Sequence, residues 1–278
     1  MKQLVVTADD FGLAPEINDA VEIAHQRGIL TAASLMVAGP AARDAVARAR
    51  RLPRLRVGLH VVLVEGLPVL PPERVPALVD TNGNFRTDMA RLGLAIALRR
   101  EVRRQLRAEI EAQFDAFRAT GLALDHVNAH KHFHLHPMIA AEIIAVGARH
   151  GIRGLRVPRE PGSVLSAIEP RAARAPAWVT APWAALLARR ARRAGLKTPD
   201  AVFGLAWSGA MTTARLLGLL QHLPEGRSEI YLHPATTDGF AGHASGYRYA
   251  EELAALIAPD VIAAARRDDL RQCGYADF

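Results

Sequence analysis

Apolar and polar positions along the chain predict strands that alternate with helices. Residues 3–8 read as a buried strand. Residues 15–28 read as a helix, with Pro15 in the first turn, acids beside it and Gly28 at the stop. A second strand over 30–37, a second helix over 41–51 and a third strand over 54–63 continue the pattern. In the third, Val57, Leu59, Val61 and Leu63 alternate with Gly58, His60 and Val62. Helices are expected over 88–100 and 101–120, a strand over 122–130, a helix over 138–150 and a strand over 152–157. A helix over 212–222, a strand over 228–233 and helical sequence over 250–272, broken near Pro259, complete the series. Strands separated by helices of this length imply parallel βαβ units. The expected fold is therefore α/β with parallel strands in a single domain spanning 1–278.

Two stretches interrupt the alternation. Residues 65–84 are rich in Gly, Pro and polar side chains and too long for a tight connection, so they read as a functional loop or lid. Residues 158–210 form a Pro-rich, partly helical excursion that includes a basic helix over 182–195. It is too short for a separate domain.

Composition narrows the class. Half of the residues are hydrophobic and aromatics are only 5%, which suits helices packed on buried strands. One cysteine, Cys273, excludes a disulfide framework within the chain and a Cys-cluster zinc site, and fits a reducing cytoplasm. No apolar run approaches the roughly 20 residues needed to cross a bilayer. The first ten residues read as a strand and not as a signal peptide, since that short apolar run ends in Asp9 and Asp10. The formal charge is +7, carried almost wholly by arginines, because Lys2, Lys131 and Lys197 are the only lysines. Most of these arginines punctuate Ala/Leu-rich helices, as solvated helix faces do, and no nucleic-acid motif accompanies them.

The candidate chemistry is concentrated in 125–137, which holds His126, His130, His132, His134 and His136, five of the eleven histidines. All lie at even positions, so one extended strand would place them on one face. At ~3.3 Å per residue such a strand is too long for a barrel, so it is expected to end near His130. His132 and His134 then fall in the following loop, beside the metal ligands or the substrate. In parallel β/α folds, functional side chains gather at the carboxyl ends of the strands. Four such ends carry ionisable groups: Asp9-Asp10, His60, the tract around His130, and His233. Two histidines and one carboxylate suffice to hold a catalytic divalent ion with positions left open. Neighbouring side chains of an extended strand point apart, so one of the paired aspartates could face an ion while the other serves as a base. A further histidine across the substrate could then protonate a leaving amine.

The segments 7–13 (Thr-Ala-Asp-Asp-Phe-Gly-Leu), 58–60 (Gly-Leu-His), 126–134 and 231–234 (Tyr-Leu-His-Pro) together resemble the YdjC family of carbohydrate deacetylases, which includes chitooligosaccharide deacetylase. The four motifs keep their order and span most of the chain. The resemblance implies a distorted, TIM-like β/α barrel that removes acetyl groups from N-acetylated amino sugars with one divalent ion per chain, magnesium or zinc. It implies Asp10, His60 and His130 as metal ligands, Asp9 as the base and His233 as the acid or oxyanion partner. Many members of that family have Asp where Asn128 stands here. The segments 155–160, 181–183 and 203–211 resemble the hopanoid-biosynthesis-associated branch. That likeness implies an N-acetylglucosaminyl hopanoid, a membrane lipid, as substrate. Arg156, within the first of these segments, joins His132 and His134 as an expected substrate contact. Trp183, Leu186 and Leu187, with the neighbouring arginines, would then lie at an anionic membrane surface, peripheral to the inner membrane, or the basic helix would cover the barrel mouth. A homodimer is expected by analogy.

Two other classes remain open on sequence alone. One is a non-catalytic protein that uses the histidine tract to bind metal and its basic helix to bind membrane or nucleic acid. The other is an amidohydrolase barrel, which needs a His-x-His pair at the end of its first strand, where this chain has Asp9-Asp10.

Overall fold

The computed structural model describes residues 1–170 and 177–278. Ten helices and seven strands are found among them: β1 (Lys2–Phe11), α1 (Pro15–Arg27), β2 (Ala32–Leu35), α2 (Ala42–Arg51), β3 (Arg56–Val61), α3 (Met89–Leu98), α4 (Arg100–Ala119), β4 (Leu124–Ala129), α5 (Pro137–Arg149), α6 (Gly162–Ile168), α7 (Ala177–Arg193), β5 (Ala201–Phe203), α8 (Thr213–His222), β6 (Gly226–Leu232), α9 (Tyr249–Leu256), α10 (Pro259–Ala265) and β7 (Leu270–Gln272). The sheet is parallel, in the order β4-β3-β2-β1-β6-β5, with β7 beside the start of β1.

The expected strand over 152–157 is reduced to isolated bridges, yet it completes the curl of the sheet. Val127 N donates to the Gly154 carbonyl and Arg156 N to that of Val127. On the other side, Leu155 N donates to Lys197 and Val202 N to Arg159. The polypeptide path from β4 through 154–159 to β5 and β6 thus closes a distorted α/β barrel. Pro158, which has no N–H, interrupts the ladder there. The excursion over 158–210 is accordingly not wholly outside the sheet, since 197–203 rejoin it. Its residues 171–176 lie outside the described residues. The helix expected to run to 272 stops at Ala265, and β7 follows it.

The main apolar core lies between the sheet and the surrounding helices. The space enclosed by the strands is different. Val5, Ala32, Cys273 and Tyr275 form a separate small cluster at its floor. Above them sit Thr7, Ser34, His126, Arg156 and Glu229, and then Asp9, His60 and Asn128, all buried. Aliphatic layers usually fill such a barrel. Here polar groups take their place, and each must find a partner. Two glycines admit the bulkiest rings. A Cβ on Gly58 would lie 2.5 Å from the His126 ring, and one on Gly154 would lie 2.6 Å from Tyr275.

The long loop over 65–84 is anchored by a polar row on the inward face of α4. Glu109 accepts from Val69 N at 2.9 Å and Leu70 N at 3.0 Å, Gln105 accepts from Ala77 N, and Gln113 exchanges two hydrogen bonds with Val62. Residues at i and i+4 share one helix face, which is why these three can act together.

Candidate metal centre and active-site cavity

A cavity of about 1400 Å³ opens at the carboxyl ends of the strands and takes in Asp9, Asp10, His60, His130, His132 and His233. The paired aspartates enter it by a departure from extended geometry. Between Ala8 and Phe11, β1 has one residue more than β2 opposite, and Asp10 adopts φ 61°. A bulge re-aims a side chain. The alternation rule that would point Asp9 and Asp10 to opposite faces therefore does not hold here. Among the described residues, the other non-glycine residues with positive φ are Glu65, Lys131 and His132, and all line the same cavity. Each such conformation costs energy and persists only where its surroundings enforce it.

Asp10 Oδ1, His60 Nε2 and His130 Nδ1 lie 3.1–3.2 Å from one another. For metal–ligand bonds of about 2.1 Å, neighbouring donors should be about 3.0 Å apart in an octahedron and about 3.4 Å in a tetrahedron, so the spacing fits a divalent ion. These are the one group of three or more His, Cys, Asp or Glu donors among the described residues with such spacing. Tautomers support the same conclusion. His60 Nδ1 lies 2.7 Å from Asn128 Oδ1, while Asn128 Nδ2 donates to Asp9 at 3.1 Å and to Ser34 at 2.8 Å, which fixes the amide orientation. Nδ1 of His60 therefore carries a proton, which leaves Nε2, 3.2 Å from Asp10 Oδ1, as the ring nitrogen that would offer its lone pair to a shared cation. Asn128 thus orients a ligand without carrying charge. An Asp at 128 could accept from His60, but it could not donate to Asp9.

Charge balance points the same way. Three buried acids, Asp9, Asp10 and Glu229, share a single guanidinium, Arg156, so a cation beside Asp10 would relieve the excess of carboxylates. Burial works to raise Asp9, but Arg156 and the nearby histidines outweigh it and hold the carboxyl far below the usual carboxylate range. For Asp10 the opposition to burial comes from His130 and His60, and the result is again a strong lowering. His130 is raised, because the Asp10 carboxylate outweighs its burial.

His233, in the loop after β6, is held by its backbone N–H, which donates to Glu252 at 2.5 Å. Burial lifts Glu252 to about 7 although it also accepts from Met211 N. The His233 ring stands edge-on to Tyr231 and has an unpartnered buried Nδ1. Burial lowers its pKa, against the pull of Asp10 and Asp9.

The histidine tract divides into separate tasks. Strand β4 ends at Ala129, and Lys131 and His132, both with positive φ, turn the chain away. His126 faces the barrel interior, with Nε2 3.1 Å from Ser34 Oγ. His130 joins the metal triad. His132 lines the cavity and contacts the Tyr231 hydroxyl at 2.9 Å. His134 is buried against the Arg156 carbonyl at 2.9 Å, and His136 caps α5. His134 and Arg156, both expected at the substrate, lie outside the cavity wall. Arg156 is 0% exposed and instead holds Asp9 with two N–H groups, at 2.5 and 3.0 Å. Glu229, Glu252 and Ser34, which hold Arg156, the His233 backbone and Asn128, buttress this site without having been singled out from sequence. Glu229, an acid next to the apolar Ile230-Tyr231-Leu232 of β6, was the available signal.

Helix α7 covers one side of the mouth, with Ala181, Ala184 and Ala185 facing the cavity. Leu187 is buried and Leu186 half-buried, so of the apolar trio expected at a membrane only Trp183, 48% exposed, faces outward. No described helix is long and apolar enough to cross a membrane.

Comparisons with known proteins agree with this architecture. The family described as YdjC-like protein matches residues 3–267. The chain is 30% identical to a carbohydrate deacetylase of Geobacillus stearothermophilus, over 99% of this chain and 97% of the relative. It is 31% identical to a mouse carbohydrate deacetylase, over 99% and 94%. A crystal structure of an Enterococcus faecalis protein, provisionally assigned to cellobiose-phosphate cleavage, superposes with a TM-score of 0.76 at 25% identity, covering 99% of this chain and 98% of that one. With the motifs in order along a barrel of this form and relatives matched from end to end, the chain belongs to the YdjC-like family.

Proposed function

We propose that this single-domain barrel is a carbohydrate deacetylase, a hydrolase that removes the acetyl group from an N-acetylated amino sugar with one divalent ion. The observation that carries this reading is the Asp10, His60 and His130 triad, with Asp9 and His233 lining the same cavity. The relatives named carbohydrate deacetylase support it. A divalent cation at the triad supplies Lewis acidity toward water and toward the amide carbonyl. The chain's own groups do the rest. Asp9 takes a proton from water as the water oxygen bonds to the acyl carbon. His233 in its protonated form, which the Asp10 and Asp9 carboxylates favour against burial, delivers a proton to the amine as the C–N bond breaks, leaving acetate and a free amino sugar. Arg156 and Asn128 keep the Asp9 carboxylate oriented throughout. His132 is assigned to the substrate, while His134 and Arg156 act from behind the wall. Two imidazoles and a carboxylate suit zinc, and magnesium is accommodated when waters fill the remaining positions.

For the substrate we propose an amino sugar on an apolar carrier, of the N-acetylglucosaminyl hopanoid kind. The cavity is larger than the ~300–1,000 Å³ of ordinary small-molecule sites. Its α7 side is apolar, built from Ala181, Ala184, Ala185, Pro161 and Leu205, with Trp183 exposed on the same helix. Such a wall gives a sugar headgroup little to bind, and it suits a hydrocarbon body entering at the bilayer surface.

Acetate release from an N-acetylglucosaminyl lipid and from diacetylchitobiose tests both levels. Burial of two further methylenes is worth about tenfold, so the lipid should exceed the disaccharide in kcat/KM by at least about that factor. Equal or better use of the disaccharide would overturn the lipid assignment. Acetate from neither, with the ion bound, would overturn the deacetylase reading.

A further inference from the structure

One end of the polar network inside the barrel is accounted for by Asp9. The other end is not. Arg156 grips Asp9 with one edge of its guanidinium and Glu229 with the other, donating from Nε to Oε2 at 3.0 Å and from Nη2 to Oε1 at 2.7 Å. Glu229 is itself held by two hydroxyls. Thr7 Oγ1 donates to Oε1 at 2.7 Å, and the Tyr275 hydroxyl donates to Oε2. Guanidinium and carboxylate are planar and meet edge to edge, so the plane of one sets the plane of the next.

Tyr275 belongs to the turn that follows β7 and closes the floor of the barrel, away from the cavity. Its ring stacks on His126 at 4.7 Å with an interplanar angle of 16°. Its backbone N–H and that of Ala276 donate to the Asp125 carboxylate, both at 3.1 Å. Lys197 Nζ donates to the Ala276 carbonyl at 2.7 Å. The phenol is wholly buried, so its hydroxyl is spent on Glu229 and not on water. A floor plugged only for packing would need a Phe at this position.

We propose that Tyr275 is a positioning residue for the reaction: from the floor of the barrel its hydroxyl holds Glu229, Glu229 holds Arg156, and Arg156 presents Asp9 to the cavity. This rests on the reading of Asp9 as the base. The C-terminal turn thereby becomes part of the catalytic apparatus without touching substrate or ion.

Tyr275→Phe keeps the ring and removes the donor. In the ion-loaded enzyme kcat should fall about tenfold, the scale of one hydrogen bond to a buried charge, with KM and ion stoichiometry unchanged. Thr7→Val withdraws the second hydroxyl from the same carboxylate, so its effect should be similar, and the double variant should lose less than the product of the two. The Thr7 variant also keeps the test available if Tyr275→Phe folds poorly. A second readout is independent of turnover: the Arg156 Nε–H resonance in ion-free protein should move in Tyr275→Phe, because Nε and the phenol share Glu229 Oε2. Wild-type kcat with an unmoved resonance, or a loss that falls on KM or ion occupancy, overturns the proposal. A moved resonance in a protein whose wild type releases no acetate would retire the deacetylase reading and leave the chain of contacts standing.

Discussion

Asp9→Asn is expected to lower acetate release by about 10³-fold while the protein keeps its ion, the scale of loss when a positioned general base is removed. The side chain keeps its shape and loses its charge. Asp10, His60 and His130 retain their mutual contacts, because the Asp9 side chain is hydrogen-bonded to Arg156 and Asn128 and not to these three. Arg156 and Asn128 both donate to Asp9, and an amide can accept only through one atom. Some stability is therefore lost along with activity. The sign of the pH dependence follows from the lowered pKa of Asp9. Its ion pair stabilises the fold above the ordinary carboxylate range, and that stability is lost as pH falls toward the folded value. Across neutral pH the carboxylate stays ionised and available as a base. Acetate release and elemental analysis on the same sample give the answer, and turnover within threefold of wild type would remove Asp9 from this role.

His60→Ala or His130→Ala should lose both ion and turnover. Each removes one of three protein donors, and at His60 it also strands the Asn128 amide oxygen in a buried site. A loss of two orders of magnitude or more in ion affinity is expected, beyond the 10–100-fold typical of changes around the ligands. Ion binding to the wild type should also weaken as pH falls. Asp10 raises the pKa of His130, so the ion competes with a proton for Nδ1. Isothermal titration at two pH values measures this directly, and equal affinity in His60→Ala would contradict the assignment.

The parts of the site that are legible in sequence are those carried by local pattern. Helix α1 starts at Pro15 and stops at Arg27 before Gly28, and His60 stands out as an ionisable residue inside the apolar run that follows Arg56 in β3. The end of β4 beside His130 follows from strand length alone. Sequence parity misleads at Asp9 and Asp10, because a bulge and a positive φ are tertiary solutions that no two-residue period can express. It misleads again over the histidine tract, where two residues of positive φ break the face that the even positions seemed to share. Strands β5 and β7 have three residues each, too short for any period to show. The network from Tyr275 to Asp9 joins parts of the chain far apart in sequence, and only the closed barrel brings them together.

One ion per chain serves the proposed reaction. Stripping the protein with a chelator and restoring a divalent ion in steps, while following acetate release, tests that most directly. Activity should rise linearly with added ion and level off at one per chain, and Asp10→Ala should neither bind nor respond. Acetate release that survives chelation, or several ions bound per chain with no dependence on Asp10, would contradict it.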